Sequence, residues 1–325
     1  MANNGAAITG VSGYVPDYVL TNEELEKLVE TNDEWIRTRT GISERRILKG
    51  EGLGSAYLGT QAVKSLLEKT GTKPEEVDGL ICATITPEMF FPSTANLICD
   101  NLGIRGAFSF DLAAACSGFL YALETGANFI RSGNQRKIII VGADKMSSIV
   151  NYKDRNTCIL FGDGAAAVML ETAQDDYVIR DTILRSDGVG KDLIYIRGGG
   201  SAYPPTHETI DLGYHHFFQD GRSVFKYAVT SMAEVAVEIM ERNNLSGDDV
   251  AYLVPHQANM RIIEATANRM GVKMDKVTVN IQKYGNTTAA TIPLCLWEWE
   301  DKFRKGALKS AELHLPNGLL QVHSK

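Results

Sequence analysis

The chain reads as an α/β protein built from two similar halves, and three features of the sequence predict this. Amphipathic helices alternate with short apolar strands throughout the 325 residues. A short internal repeat links Pro74 to Ala83 (PEEVDGLICA) with Gly247 to His256 (GDDVAYLVPH); each is an acidic turn leading into an apolar strand. No linker rich in Pro, Ser or charge separates the halves, so residues 1–173 and 174–325 are expected to pack as one unit.

In the first half, Thr21 with Glu24 reads as a capping box opening a helix that buries Leu25, Leu28 and Val29. A helix from roughly Ser55 to Lys69 leads into a strand over Gly79 to Thr84. Next come a strand over Ala107 to Leu112, a turn of small residues, and a helix with Phe119, Leu120, Leu123, Ala127 and Ile130 on one face. Strands over Lys137 to Val141 and around Ala165 to Leu170 complete that half. In the second half His256 ends the repeat's strand, at the edge where α/β folds present active groups. Asn286 is expected between a short strand and a helix.

Composition excludes several classes. A formal net charge of -7 argues against nucleic acid, whose phosphates call for a basic surface. The apolar runs, such as Ile138 to Val141 and Ile292 to Leu296, are too short to span a bilayer. The N-terminus has no basic segment followed by an apolar one, so no membrane association and a cytoplasmic location are expected. Five dispersed cysteines (Cys82, Cys99, Cys116, Cys158, Cys295) lack a CxxC pair, and the adjacent His215 and His216 lack HExxH spacing. Free thiols, no metal and no cofactor follow.

Cys116, in DLAAACSGF, sits where a strand hands over to a helix, and peptide dipoles there favour the reactive thiolate. Small neighbours leave room for a carbonyl to approach the sulfur. His256 in VPHQAN and Asn286 in YGNTT can each donate a hydrogen bond to an oxygen that becomes negative, without adding negative charge. A buried structural cysteine and two capping polar residues are the plainer reading of each taken singly; Cys-His-Asn also occurs in proteases. Trp35 and Arg39, four residues apart, share one face of a short helix where indole and guanidinium could hold an adenine ring.

The segments AAACSGF, PHQAN and GNTTAA resemble the active-site motifs of β-ketoacyl-acyl carrier protein synthase III, and the likeness runs from about Gly10 to Arg304. It includes NDEWIRTRTGI and FGDGAAAVML. The resemblance implies the thiolase fold, two βαβ-rich halves packed as a five-layered αβαβα unit, in a homodimer. It implies an acyltransferase of fatty-acid initiation: Cys116 takes an acyl group from acyl-coenzyme A, acetyl for example. His256 and Asn286 hold the thioester oxygen of malonyl-acyl carrier protein while carbon dioxide leaves. It further implies that Trp35, Arg39 and Arg155 border a coenzyme A tunnel, that Asn259 contacts the pantetheine arm, and that Phe91 reaches across the dimer to the partner's acyl pocket. Phe91 taken alone reads as core.

A basic patch of Lys226, Arg261 and Arg269 is expected to dock the acidic carrier protein, since Arg261 and Arg269 stand about two turns apart on one helix. Two departures from the family pattern are visible. Ala166 replaces a usual glycine, and the stretch from Lys305 to Lys325 lacks the glycine-rich ending that gives the family a backbone N–H at the nucleophile. Beyond Gly306 its one glycine is Gly318. Two alternatives therefore accompany the main expectation: a related condensing synthase of specialised metabolism, or a weakly active homologue that binds carrier protein or coenzyme A.

Overall fold

A computed structural model of the protein describes residues 5–173 and 178–305 and the two-residue strand Leu313–His314. Its principal sheet has five strands in the order Ala6–Tyr14, Gly164–Thr172, Lys137–Asp144, Gly79–Ala83, Phe108–Leu112. The last three of these run parallel to one another, and the first two pair antiparallel.

Alternation along the strands explains how this sheet is covered. Ile138 and Ile140 face one side with Ile81, Ala83, Val168 and Leu170, against the helices Gly118–Arg131 and Thr291–Lys305. Ile139 and Val141 face the other with Leu80, Cys82, Ala167 and Met169, against Ser55–Thr70 and Thr94–Asn101. A strand buried on both faces has no polar side, which is why IIIV and LICA are continuous apolar runs. Helix Gly118–Arg131 buries Phe119, Leu120, Leu123, Ala127 and Ile130, the face that the sequence spacing predicts.

The helices of the second half pack in a further cluster, which first-half residues such as Leu25, Ile36 and Phe161 share. Val235, Ala236, Ile239 and Met240 of helix Gly221–Arg242 meet Ile263, Ala267 and Met270 of helix Met260–Met270 around Val250, Leu253 and Val277. Among the described residues the sheet here is short: Tyr252–Leu253 pairs in parallel with Leu313–His314, and Leu253 bridges Val277.

Three local expectations need correction. The helix after Thr21 spans only Asn22–Leu25; Thr21 accepts from the Glu24 N–H, but Leu28 is 56% exposed. Beyond Leu25 the bonds mix the two spacings, Lys27 to Glu24 and Leu28 to Leu25 at three residues and Val29 to Leu25 at four, so the regular α-helix does not continue. The strand before His256 stops at Leu253, and the element before Asn286 is a one-turn helix, Ile281–Tyr284, rather than a strand. The expected glycine-poor ending around Gly318 lies outside the described residues.

Candidate active site

The parallel strands deliver their C-terminal ends to one edge of the sheet, and the site is assembled there. After strand Phe108–Leu112 the chain makes a 3-10 turn, Ala115–Ser117, and enters helix Gly118–Arg131. Ala115 adopts φ 46°, a left-handed conformation that costs a non-glycine residue of order 1 kcal/mol or more. That turn places Cys116, half-buried, just before the helix.

Opposite it lies the segment Asn286–Thr291, held by the end of strand Lys137–Asp144 and by the stretch Leu160–Gly162. Asp144, the wholly buried last residue of its strand, accepts from the Ala289 N–H (3.2 Å) through one carboxylate oxygen. Its other oxygen accepts from Thr84 Oγ1 (3.0 Å), Ile85 N–H (2.8 Å) and Thr86 Oγ1 (3.0 Å). Gly142, two residues earlier, admits the segment because a Cβ there would lie 2.5 Å from the Ala289 oxygen. Asn286 is held through its backbone, its N–H donating to Leu160 O (2.9 Å) and its carbonyl accepting from Gly162 N–H (3.1 Å). Gly285 precedes it at φ 63°, with Leu160 O only 2.8 Å from where a Cβ would stand.

The Thr288 N–H donates to Asn286 Oδ1 over 2.9 Å. With its oxygen engaged, the amide keeps its Nδ2 free to donate, and the Asn286 side chain pulls the Cys116 thiol down. His256 is buried, and its Nδ1 lies 2.6 Å from Thr291 Oγ1. Burial holds this imidazole down to about 4, so it is neutral at physiological pH. One segment thus orients both His256 and Asn286.

Cys116 departs from expectation. Burial, with the Asp144 carboxylate second, pushes its thiol up to about 12, against the smaller downward pull of the backbone N–H and Asn286. The dipole of the following helix does not offset this, because removing charge from water outweighs a few tenths of a kcal/mol to about 1 kcal/mol from the helix end.

The other predicted residues fall in two groups. Trp35 and Arg39 share helix Asp33–Thr40, and the guanidiniums of both Arg39 and Arg155 lie 4.7 Å from the Trp35 ring. Asn259 caps helix Met260–Met270 through Oδ1 to the Arg261 N–H (3.0 Å) and donates from Nδ2 to Arg39 O (2.9 Å), which joins this group to the helix after His256. Lys226, Arg261 and Arg269 are exposed, and Arg261 lies 4.7 Å over the Phe225 ring. Phe91 is not core: it is 84% exposed beside Phe90 at 82%. Sequence reasoning passed over Asp144, Gly142 and Thr291. A lone acid closing the apolar run IIIVGAD was the available signal for the first; Thr291 and Gly142 show only as contacts.

Known proteins place this arrangement. The family described as 3-oxoacyl-[acyl-carrier-protein] synthase III matches residues 110–188, and its C-terminal counterpart matches residues 240–314. A β-ketoacyl-[acyl-carrier-protein] synthase III of Bacteroides thetaiotaomicron is 58% identical over 306 residues, 94% of this chain and 91% of that protein. This chain belongs to the β-ketoacyl-acyl carrier protein synthase III family. A synthase III of Chlorobium phaeovibrioides is 55% identical over 91% of each chain. The solved synthase III of Aquifex aeolicus superposes with a TM-score of 0.88 at 40% identity, covering 98% of this chain and 100% of its own. The priming β-ketosynthase of the R1128 polyketide pathway follows at 0.86 and 28%, covering 99% of this chain and 98% of its own. The fold is therefore the thiolase fold of the synthase III family, and the chain is an acyltransferase-type condensing enzyme. Both matched family segments hold site residues: Cys116 in the first, His256 and Asn286 in the second.

Proposed function

We propose that this synthase III joins a short acyl-coenzyme A, acetyl-coenzyme A first among them, to malonyl-acyl carrier protein by decarboxylative Claisen condensation and so starts fatty-acid chains. Cys116 Sγ attacks the acyl thioester; the carbon–sulfur bond to coenzyme A breaks, and the thiol proton leaves with that sulfur. The malonyl carboxylate then departs as carbon dioxide, and its electron pair passes to C2 and the thioester oxygen. His256 and Asn286 donate to that oxygen. C2 attacks the acyl carbonyl, Cys116 sulfur is expelled, and a β-ketoacyl-carrier protein results. No cofactor is required, because neutral donors arranged in advance stabilise the developing charge.

The observation that carries this reading is the shared anchoring of both donors: Thr288 N–H engages the Asn286 amide oxygen and leaves its nitrogen to donate, and Thr291 holds the neutral His256. Trp35, Arg39 and Arg155 are proposed to receive the adenine end of coenzyme A, with Asn259 beside the pantetheine arm. Lys226, Arg261 and Arg269 are proposed to dock the carrier protein. We further propose a homodimer working in the cytoplasm. The exposed run Met89, Phe90 and Phe91 supports the dimer, as adjoining aromatics at 82% and 84% exposure mark a surface that a partner covers. No described helix is long and apolar enough to cross a membrane. The decisive experiment is intact-protein mass after mixing with acetyl-coenzyme A: an acetyl adduct on the native protein, none on Cys116→Ala. An adduct on Cys82, Cys99, Cys158 or Cys295 instead rules the mechanism out.

A further inference from the structure

His256 has two ring nitrogens, and in the neutral ring only the one carrying the proton can donate to an oxyanion. Which one carries it depends on Thr291. Two acceptors compete for the single Thr291 hydroxyl proton, His256 Nδ1 at 2.6 Å and Thr288 O at 3.1 Å. Thr288 O already receives the backbone N–H of Thr291, so it is satisfied without the hydroxyl. A separation of 3.1 Å also exceeds the usual O–H···O range of about 2.5 to 3.0 Å.

We infer that Thr291 is a positioning residue that fixes the tautomer of His256: its hydroxyl donates to Nδ1 and leaves the ring proton on Nε2, the nitrogen that faces the malonyl thioester oxygen. The opposite chain, Nδ1–H to Thr291 to Thr288 O, would present a lone pair to that oxygen and oppose the enolate. Thr291 opens helix Thr291–Lys305 and is buried, so its hydroxyl is held by the same fold that places the segment. This inference rests on the proposed role of His256 as donor.

The test has a spectroscopic arm and a kinetic arm. In protein labelled with ¹⁵N at histidine, the resonance lost in His256→Gln identifies His256, and proton–nitrogen correlation is expected to show Nε2 protonated and Nδ1 bare. Thr291→Val keeps the shape and removes the donor; the tautomer should shift toward Nδ1–H. Turnover in malonyl decarboxylation should fall roughly tenfold to a hundredfold, with KM for malonyl-acyl carrier protein and the rate of Cys116 acetylation unchanged. Thr291→Ser should restore both the spectrum and the rate, and it decides the matter if the valine variant folds poorly. A proton on Nδ1 in the native protein, or native decarboxylation by Thr291→Val, overturns the inference. Unimpaired decarboxylation by His256→Ala would instead remove the donor role of His256, while the spectrum still reports on Thr291.

Discussion

The Thr288 N–H donates to Asn286 Oδ1 over 2.9 Å, and with that oxygen engaged the amide is left its nitrogen, the end that can donate, beside a Cys116 thiol that Asn286 pulls down. Asn286→Asp keeps the shape and the bond from Thr288 but replaces the donor with a carboxylate oxygen. Decarboxylation of malonyl thioester should fall by about a hundredfold to a thousandfold, the cost of one oxyanion donor, with added repulsion. Acetylation of Cys116 should fall less. Measuring the two half-reactions separately checks this, and equal losses in both would point to a collapsed segment instead.

The Cys116 thiol is pushed up to about 12, chiefly by burial. Since the thiolate is the nucleophile, its fraction rises tenfold for each pH unit below that value. Acetylation measured at subsaturating acetyl-coenzyme A should therefore keep climbing from pH 6 through pH 9. A plateau reached near neutrality would mean that the sulfur is activated before the substrate arrives.

The contrast between that thiol and its sequence reading shows what was legible. Patterns carried by a single element were readable: the double-faced burial of Ile138 to Val141, and the small-residue turn that presents Cys116. Features decided by tertiary contact were not. Asn22 is buried because it accepts from Arg45 Nη1 (2.8 Å) and donates to Ile42 O (2.9 Å), and the helix it opens ends within a turn. No sequence spacing announces that Asp144 would hold Ala289 from 145 positions away, nor that burial would outweigh the helix dipole at Cys116.

His256 links the site to stability. Its folded value is depressed to about 4 by burial, below the unfolded value near 6.5. Protonation therefore favours the unfolded chain. Stability from this group is complete above about pH 6.5 and is lost as pH falls toward 4; the 2.5-unit gap corresponds to about 3 kcal/mol. Denaturant titrations of native protein and His256→Gln between pH 7 and 4 should show the variant losing less stability on acidification. Parallel slopes would mean that the ring is not buried in its neutral form. Asp144 works in the opposite sense: burial raises it to about 6, so its contribution is present at low pH and lost as pH rises through 6. The comparison is best made with Asp144 intact in both proteins.

Arg261 is exposed at the start of helix Met260–Met270, and among the described residues its side chain is held by a ring, Phe225 at 4.7 Å, rather than by a carboxylate. Stacking fixes the direction of the guanidinium and leaves its charge available to an acidic partner. Lys226 follows Phe225 in the neighbouring helix Gly221–Arg242, and Arg269 lies two turns further along the first helix, so three cations stand on two adjoining helices. Arg261→Glu reverses the central charge of that patch. The apparent KM for malonyl-acyl carrier protein should rise several-fold at low salt and approach the native value as ionic strength grows, because contacts between exposed charges are screened beyond a Debye length of about 10 Å at 0.1 M. Acetylation of Cys116 by acetyl-coenzyme A, which involves no carrier protein, serves as the internal control and should be nearly unchanged. A KM that rises equally at all salt concentrations would assign Arg261 a packing role on Phe225. The double variant Phe225→Leu with Arg261→Glu separates the two roles, since loss of the ring adds nothing further if charge alone matters.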